Sequence, residues 1–268
     1  MGLALIGCQT QRVVVTISAE STPATAPLYI GLASTAADLP NLLDNPDPQV
    51  DWLFTVNNTT ALFADLAQNQ LDAILVHDIP APPDPAHPYW FNPVALDGLV
   101  LIVQPDNPVR DLTLGQIQAI FSGRLTNWQM VGGPDLPIIP ITRERDSGAR
   151  AIFNRRVMAD QRLTINAVIQ PTNPGLIRAV AAQPGAIGYT MMGALPRVTT
   201  DPAEAVRWLS IEGVSPNPLT TADQSYPLTT PLYWVSPAEP QGEWRAFLAW
   251  LQSEAGQAQL GVRYGRVR

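Results

Sequence analysis

Arg143-Glu144-Arg145-Asp146-Ser147-Gly148-Ala149-Arg150 stands between a short apolar run, Ile138 to Thr142, and a helical stretch, Ser147 to Met158. A strand that passes the chain to a helix through a Ser-Gly turn aims backbone N–H groups and a hydroxyl at one spot. The positive end of the helix dipole favours an anion there. Arg143, at the strand end, can add a two-pronged guanidinium fork that matches an oxyanion. Two plainer readings stand beside this one: Ser147 as a simple N-cap, and Arg143 paired with Glu144 or Asp146.

Upstream, Arg12 to Ile17 reads as a strand, Ser18 to Pro23 as a polar turn and Ala24 to Ala37 as a helix opened around Pro27. Val50 to Val56 is a second strand, and Asn57 to Thr60 a loop and cap. Ala61 to Gln68 is a helix with Leu62, Phe63 and Leu66 on one face, and Leu71 to Val76 is a buried strand. Ile79 to Pro93 carries six prolines and no period, so it reads as irregular surface. Leu96 to Val103 resumes as a strand, and a helix at Thr113 to Phe121 packs in front of Trp128. Asn173 to Gln183 is a helix, Gly185 to Tyr189 and Leu228 to Ser236 are strands, and Glu243 to Leu251 with Glu254 to Leu260 are terminal helices. Strands alternating with helices imply a mostly parallel sheet whose ligand loops follow the carboxyl ends of strands. The first three such loops are then 18–23, 57–60 and His77-Asp78.

Composition narrows the chemistry. All 16 basic residues among the 268 are Arg. With no Lys, Walker-type phosphate loops, Schiff-base catalysis and Ser-Lys dyads are excluded. A net charge of −7 argues against nucleic acid and anionic lipid, so a bound anion must be held by local donors. Two His, one Cys and no Gly-x-Ser-x-Gly or His-Glu-x-x-His leave hydrolase mechanisms without parts. No metal site, cofactor or enzymatic activity is expected.

Three ordered blocks carry a resemblance: Leu112 to Trp128, Ile141 to Phe153, and Pro184 to Tyr189, followed by Tyr226 to Tyr233. They resemble the phosphate-binding protein of the bacterial phosphate ABC transporter, over most of residues 12–268. The resemblance implies an α/β, two-lobed periplasmic-binding-protein fold. Each lobe would be a mostly parallel sheet flanked by helices, joined by two crossing hinge strands at 96–103 and 228–236. Lobe 1 would comprise 12–95 plus 236–268, lobe 2 would comprise 96–235 including the hinge strands, and 1–11 would be a tether.

Carried over by position, the resemblance places the family's arginine at Arg143 and its helix-start donors at Ser147 and Gly148. Ala149 stands where a threonine is usual, so one hydroxyl is lost. The first loop's hydroxyl pair resembles Ser21-Thr22, beside Glu20. Thr59 takes the place of a liganding serine, with an N-cap role as the plainer reading. The family's acceptor for the phosphate proton falls at His77 or Asp78, and Asp78 is favoured; both lying outside the cleft is the alternative.

Leu5-Ile6-Gly7-Cys8 resembles a bacterial lipobox, which implies lipid attachment at Cys8; a small buried hydrophobe at a strand edge is the competing reading. The expected function is capture of inorganic phosphate or a similar oxyanion and delivery to ABC permease subunits. The site of action would be the extracytoplasmic face of the membrane or the periplasm. The chain would act as a monomer, touching the membrane only through its lipid. Molybdate, tungstate, arsenate or an organic acid on the same scaffold, and a sensory or interaction lobe, are the alternatives.

Overall fold

The computed structural model describes residues 15–16, 27–44, 50–80, 88–195 and 205–267. Chain order is β1 (Val15–Thr16), β2 (Leu28–Ala33), β3 (Trp52–Asn57), α1 (Thr59–Ala67), β4 (Ala73–Val76), β5 (Trp90–Val103), β6 (Asp111–Leu112) and α2 (Leu114–Phe121). There follow β7 (Ile139–Arg143), α3 (Gly148–Phe153), β8 (Val168–Gln170), α4 (Asn173–Ala181), β9 (Ala186–Met191), β10 (Arg207–Trp208) and β11 (Ser210–Ile211). The chain ends with α5 (Pro218–Ala222), β12 (Thr229–Ser236), α6 (Gly242–Gln252) and α7 (Glu254–Leu260). Cys8, Ser21 and Thr22 lie outside the described residues, as does the 1–11 tether.

The main sheet runs β1-β3-β2-β4-β12-β5-β9-β7-β8. β2 pairs in parallel with both β3 and β4, and β7 pairs in parallel with β8 and β9. These two parallel groups are joined by long antiparallel strands. Residues 90–98 of β5 pair with β12, and residues 99–103 pair with β9. The fold is the two-lobed α/β arrangement that the resemblance implied.

Two cores flank the crossover. One gathers Trp52, Phe54, Leu75, Leu232, Trp234, Phe247 and Tyr264. The other gathers Phe121, Trp128, Phe153, Tyr189 and Tyr226, with Phe153 stacked on Tyr189 at 4.0 Å. β5 supplies both, with Val94 and Ala95 in the first and Leu99, Leu101 and Val103 in the second. Each fully buried large apolar side chain stabilises by roughly 1.5–3 kcal/mol, so burial on this scale fixes the sheet order.

The helices follow local signals. Thr113 and Gln116 form a reciprocal capping box at the start of α2, which buries Ile117, Ile120 and Phe121. Asn58 caps α1 by accepting from Ala61 N–H at 2.8 Å, and Leu62, Phe63 and Leu66 face inward. α1 lies so close to the sheet that a Cβ on Gly31 would meet Leu62, Leu71 and Ile74 at 2.7–2.9 Å. Only glycine admits that approach.

Three expectations are corrected. Residues 28–33, read as part of a helix, form strand β2; an apolar run this short fits either period, and pairing with β3 and β4 decides. The irregular segment ends earlier than expected, since β5 begins at Trp90. The helix read over 147–158 is a short α-helix followed by a wider turn at Asn154–Met158.

Candidate functional site

Among the described residues β2 is the first parallel strand, and Ala33-Ser34-Thr35 lies at its carboxyl end; the 18–23 segment lies outside the described residues. The loops after β2, β3 and β4 therefore supply Ser34-Thr35, Asn57-Asn58-Thr59 and His77-Asp78. The loop after β7 and the start of α4 face them.

Arg143 is buried to 1% exposure. Its Nε and Nη2 donate to the two carboxylate oxygens of Glu144, each at 2.9 Å. Nη1 donates to Asn173 Oδ1, and Nη2 reaches the Pro171 carbonyl at 3.4 Å. The plainer pairing anticipated with Glu144 is therefore real. It engages four of the five guanidinium hydrogens and leaves one on Nη1. Behind it, Arg150 Nη1 donates to the Arg143 carbonyl at 2.6 Å, and Thr142 Oγ1 shares a 2.6 Å hydrogen bond with the Tyr189 hydroxyl. Burial pushes that phenol's pKa up, against the lowering pull of Thr142 and of the arginines.

Ser147 caps α3, its Oγ accepting from Arg150 N–H at 3.5 Å, and Gly148 and Ala149 are buried beside it. The capping bond uses a lone pair on Oγ and leaves its hydrogen for another acceptor. Across the cleft, Asn58 takes the capping role that Thr59 was given as its plainer reading. The Thr59 hydroxyl is buried and has no hydrogen-bond partner among the described residues. Gly148 is why the two loops approach so closely: a Cβ there would lie 2.8 Å from Thr59 Oγ1.

A pocket of about 90 Å³ opens here, lined by Thr59, Thr60, Asp78, Pro80, Arg145, Asp146, Ser147, Gly148 and Ala151. Organic ligands generally need roughly 300 Å³ or more, so this space suits a guest of a few atoms. Larger hollows of about 490 and 320 Å³ are lined by residues of β2, β3 and α1 with Gln70 and Leu71, and by residues within 69–72 and 234–244. Neither takes donors from both sides of the crossover.

The favoured acceptor, Asp78, is engaged elsewhere: Arg155 Nη1 donates to its Oδ1 at 2.5 Å, spanning the cleft mouth. Thr60 Oγ1 donates to Asp146 Oδ1 at 3.4 Å on the same line. His77 faces inward, between Thr35 Oγ1 and Asp97 Oδ2.

Sequence reasoning missed Ser34-Thr35, Asp97, Arg155 and Asn173. Asn173 is the most connected of these: its Oδ1 accepts from Arg143 and its Nδ2 donates to the Ser34 carbonyl at 3.0 Å, joining the two sides of the cleft. Thr172-Asn173-Pro174 at a helix start was a visible cap-and-proline signal. Nothing in it pointed back thirty residues to Arg143.

The profile described as PBP superfamily domain matches residues 9–255. The phosphate-binding protein PstS of Bacillus subtilis is 30% identical over 174 residues, which is 65% of this chain and 56% of that protein. The chain thus spans little more than half the length of that relative. Among solved structures, a putative phosphate ABC transporter substrate-binding protein with bound phosphate from Clostridium perfringens superposes with a TM-score of 0.79. It is 24% identical and covers 91% of this chain and 100% of its own. An ABC-type phosphate transport receptor from Vibrio cholerae gives 0.70 at 23% identity, covering 90% and 100%.

Proposed function

The chain belongs to the PBP superfamily, and from that premise we propose that it captures inorganic phosphate between its two lobes and delivers it to an ABC permease outside the cytoplasmic membrane. The observation that carries this reading is the buried Thr59 hydroxyl, without a partner among the described residues, facing Gly148 beside Ser147 and the Arg143 corner. A buried donor without a partner costs roughly 1–3 kcal/mol, and a guest oxygen relieves that cost.

In this reading the guest exchanges water for the hydroxyls of Thr59 and Ser147, the N–H groups of Gly148 and Ala149, and the remaining Arg143 hydrogen. Hydroxyls after β2 close the other side; Ser34 and Thr35 fill the role given to Ser21-Thr22. With the whole chain at −7, capture depends on these local donors and not on a long-range field. Lobe 1 is 12–95 plus 236–268, lobe 2 is 96–235, and β5 and β12 are the hinge. The pair Asp78–Arg155 closes the mouth, and Cys8 carries the lipid. No bond is made or broken in the cycle.

The test is calorimetric titration and thermal shift with inorganic phosphate, molybdate, tungstate, arsenate and small organic acids. A ligand at a hundred times its Kd stabilises by about 2.7 kcal/mol, a rise of a few degrees for a chain of this size. Phosphate is expected to give that rise. A shift with another oxyanion and none with phosphate overturns the assignment.

A further inference from the structure

Behind the cleft, a line of buried hydrogen bonds runs from the hinge to the loop after β2. Asp97, on β5, accepts from Gly98 N–H at 2.7 Å and Gly193 N–H at 3.1 Å through one carboxylate oxygen. Its other oxygen lies 2.9 Å from His77 Nε2, and His77 Nδ1 lies 3.1 Å from Thr35 Oγ1. Exposure along this line is 0% at Asp97, 1% at His77 and 2% at Thr35. We propose that Asp97 and His77 are positioning residues that set the direction of the Thr35 hydroxyl, and that a proton on His77 reverses it. This inference rests on the oxyanion-binding reading above.

The polarity follows from counting hydrogens. The carboxylate offers only acceptors, so His77 Nε2 carries a hydrogen toward Asp97. A neutral ring then has a bare lone pair at Nδ1, and the one hydrogen available between Nδ1 and Thr35 Oγ1 is the threonine's own. That hydrogen points to the imidazole, so lone pairs are what the Thr35 oxygen has left to offer a guest. Lone pairs accept from a guest bearing an O–H and repel an unprotonated oxygen. When His77 gains a second proton, Nδ1–H donates to Thr35 Oγ1 and the hydroxyl hydrogen is released toward the guest. The same loop then favours an oxyanion with no proton. Thr35 is well placed for this, because the neighbouring Ser34 carbonyl holds the Asn173 amide that also holds Arg143.

The charged groups around this line are accounted for. Asp97 is the ring's own partner on β5. The Tyr264 hydroxyl, from the segment after α7, is held neutral: burial pushes its pKa well up, Asp97 and Asp38 add to that, and Arg263, paired with Asp38, opposes it. Asp78, next in sequence to His77, pairs with Arg155, and Arg143 from β7 pairs with Glu144.

The experiment is calorimetric titration of sulfate and of inorganic phosphate at a series of pH values from 8 down to about 5.5. Wild type is compared with Thr35→Val, His77→Gln and Asp97→Asn, each checked by circular dichroism for folding. Sulfate carries no exchangeable proton in this range, so its affinity reports the protein alone. Wild type is expected to bind sulfate about tenfold more tightly at the acid end, the size of one hydrogen bond gained in place of one repelled. His77→Gln keeps an acceptor toward Thr35 and a donor toward Asp97 but cannot charge, so its sulfate affinity stays flat and phosphate stays preferred. Thr35→Val flattens the profile and narrows the phosphate preference. A flat wild-type sulfate profile, or a His77→Gln profile as steep as wild type, overturns the inference while phosphate binding stands. A wild-type chain that binds neither ion removes the underlying reading as well.

Discussion

The two sides of the cleft satisfy their polar groups in opposite ways. On the β7–α3 side, Arg143 is locked by Glu144 and Asn173, Ser147 by its cap, and Arg150 Nη1 by the Arg143 carbonyl, with Arg150 Nε the one buried donor there left without a partner among the described residues. On the β3–α1 side, Asn58 does the capping and the Thr59 hydroxyl is left buried without a partner among the described residues. One wall is preorganised and loses little freedom on binding; the other holds a group whose hydrogen bond waits for the guest. Affinity should therefore fall steeply when the first wall is damaged and moderately when the second is, with fold stability following the reverse order at Thr59.

The hardest blow to the comparison is Arg143→Ala. It removes the guanidinium at the centre of the preorganised wall and strands Glu144 and Asn173. Phosphate affinity measured by calorimetry is expected to drop at least a hundredfold, since truncating one partner of a buried, hydrogen-bonded charge pair between binding partners costs roughly 2–5 kcal/mol. Gly148→Ala comes next. Its Cβ would press on Thr59 Oγ1 at 2.8 Å and hold the walls apart, weakening binding by about tenfold to a hundredfold through lost donors on both sides. Combining it with Thr59→Ala should recover part of the closure, so the pair is expected to be non-additive in a double-mutant cycle.

Thr59→Val sharpens the contrast from the other wall. Deleting an orphaned hydroxyl should leave the ligand-free melting temperature unchanged or higher, while phosphate affinity falls about tenfold. A lower melting temperature would mean that the hydroxyl already has a partner in the free protein. The smallest effect is expected for Asp78→Asn. Arg155 is 57% exposed, and such pairs contribute about 0–1 kcal/mol, so affinity should change less than fivefold. Stopped-flow measurement should place that change in the rate of ligand release.

These walls were unequally legible in the sequence. The Arg143–Ala149 corner is local: strand, turn and helix start follow one another within a dozen residues, and each signal is a nearest-neighbour preference. Strand β2 was read as helix because Leu28 to Ala33 is a six-residue apolar run compatible with either period, and only its neighbours β3 and β4 make it a strand. His77 and Asp78 stood as a pair of candidates in the sequence, and adjacent residues leaving a strand point to opposite sides. Which one faces inward depends on Asp97, twenty residues away on another strand. Asn173 and Arg155 act entirely through contacts distant in sequence.

β5 carries a further consequence. Its first part pairs with β12 and packs in one hydrophobic cluster and its last part pairs with β9 and packs in another, so neither cluster keeps its full set of strands if the other melts. Lobes joined by a flexible tether would denature one after the other. Here a differential scanning calorimeter should record a single endotherm with matching calorimetric and van't Hoff enthalpies. The same continuity means that a ligand touching only side chains near 59 and 147 raises the melting point of the entire chain.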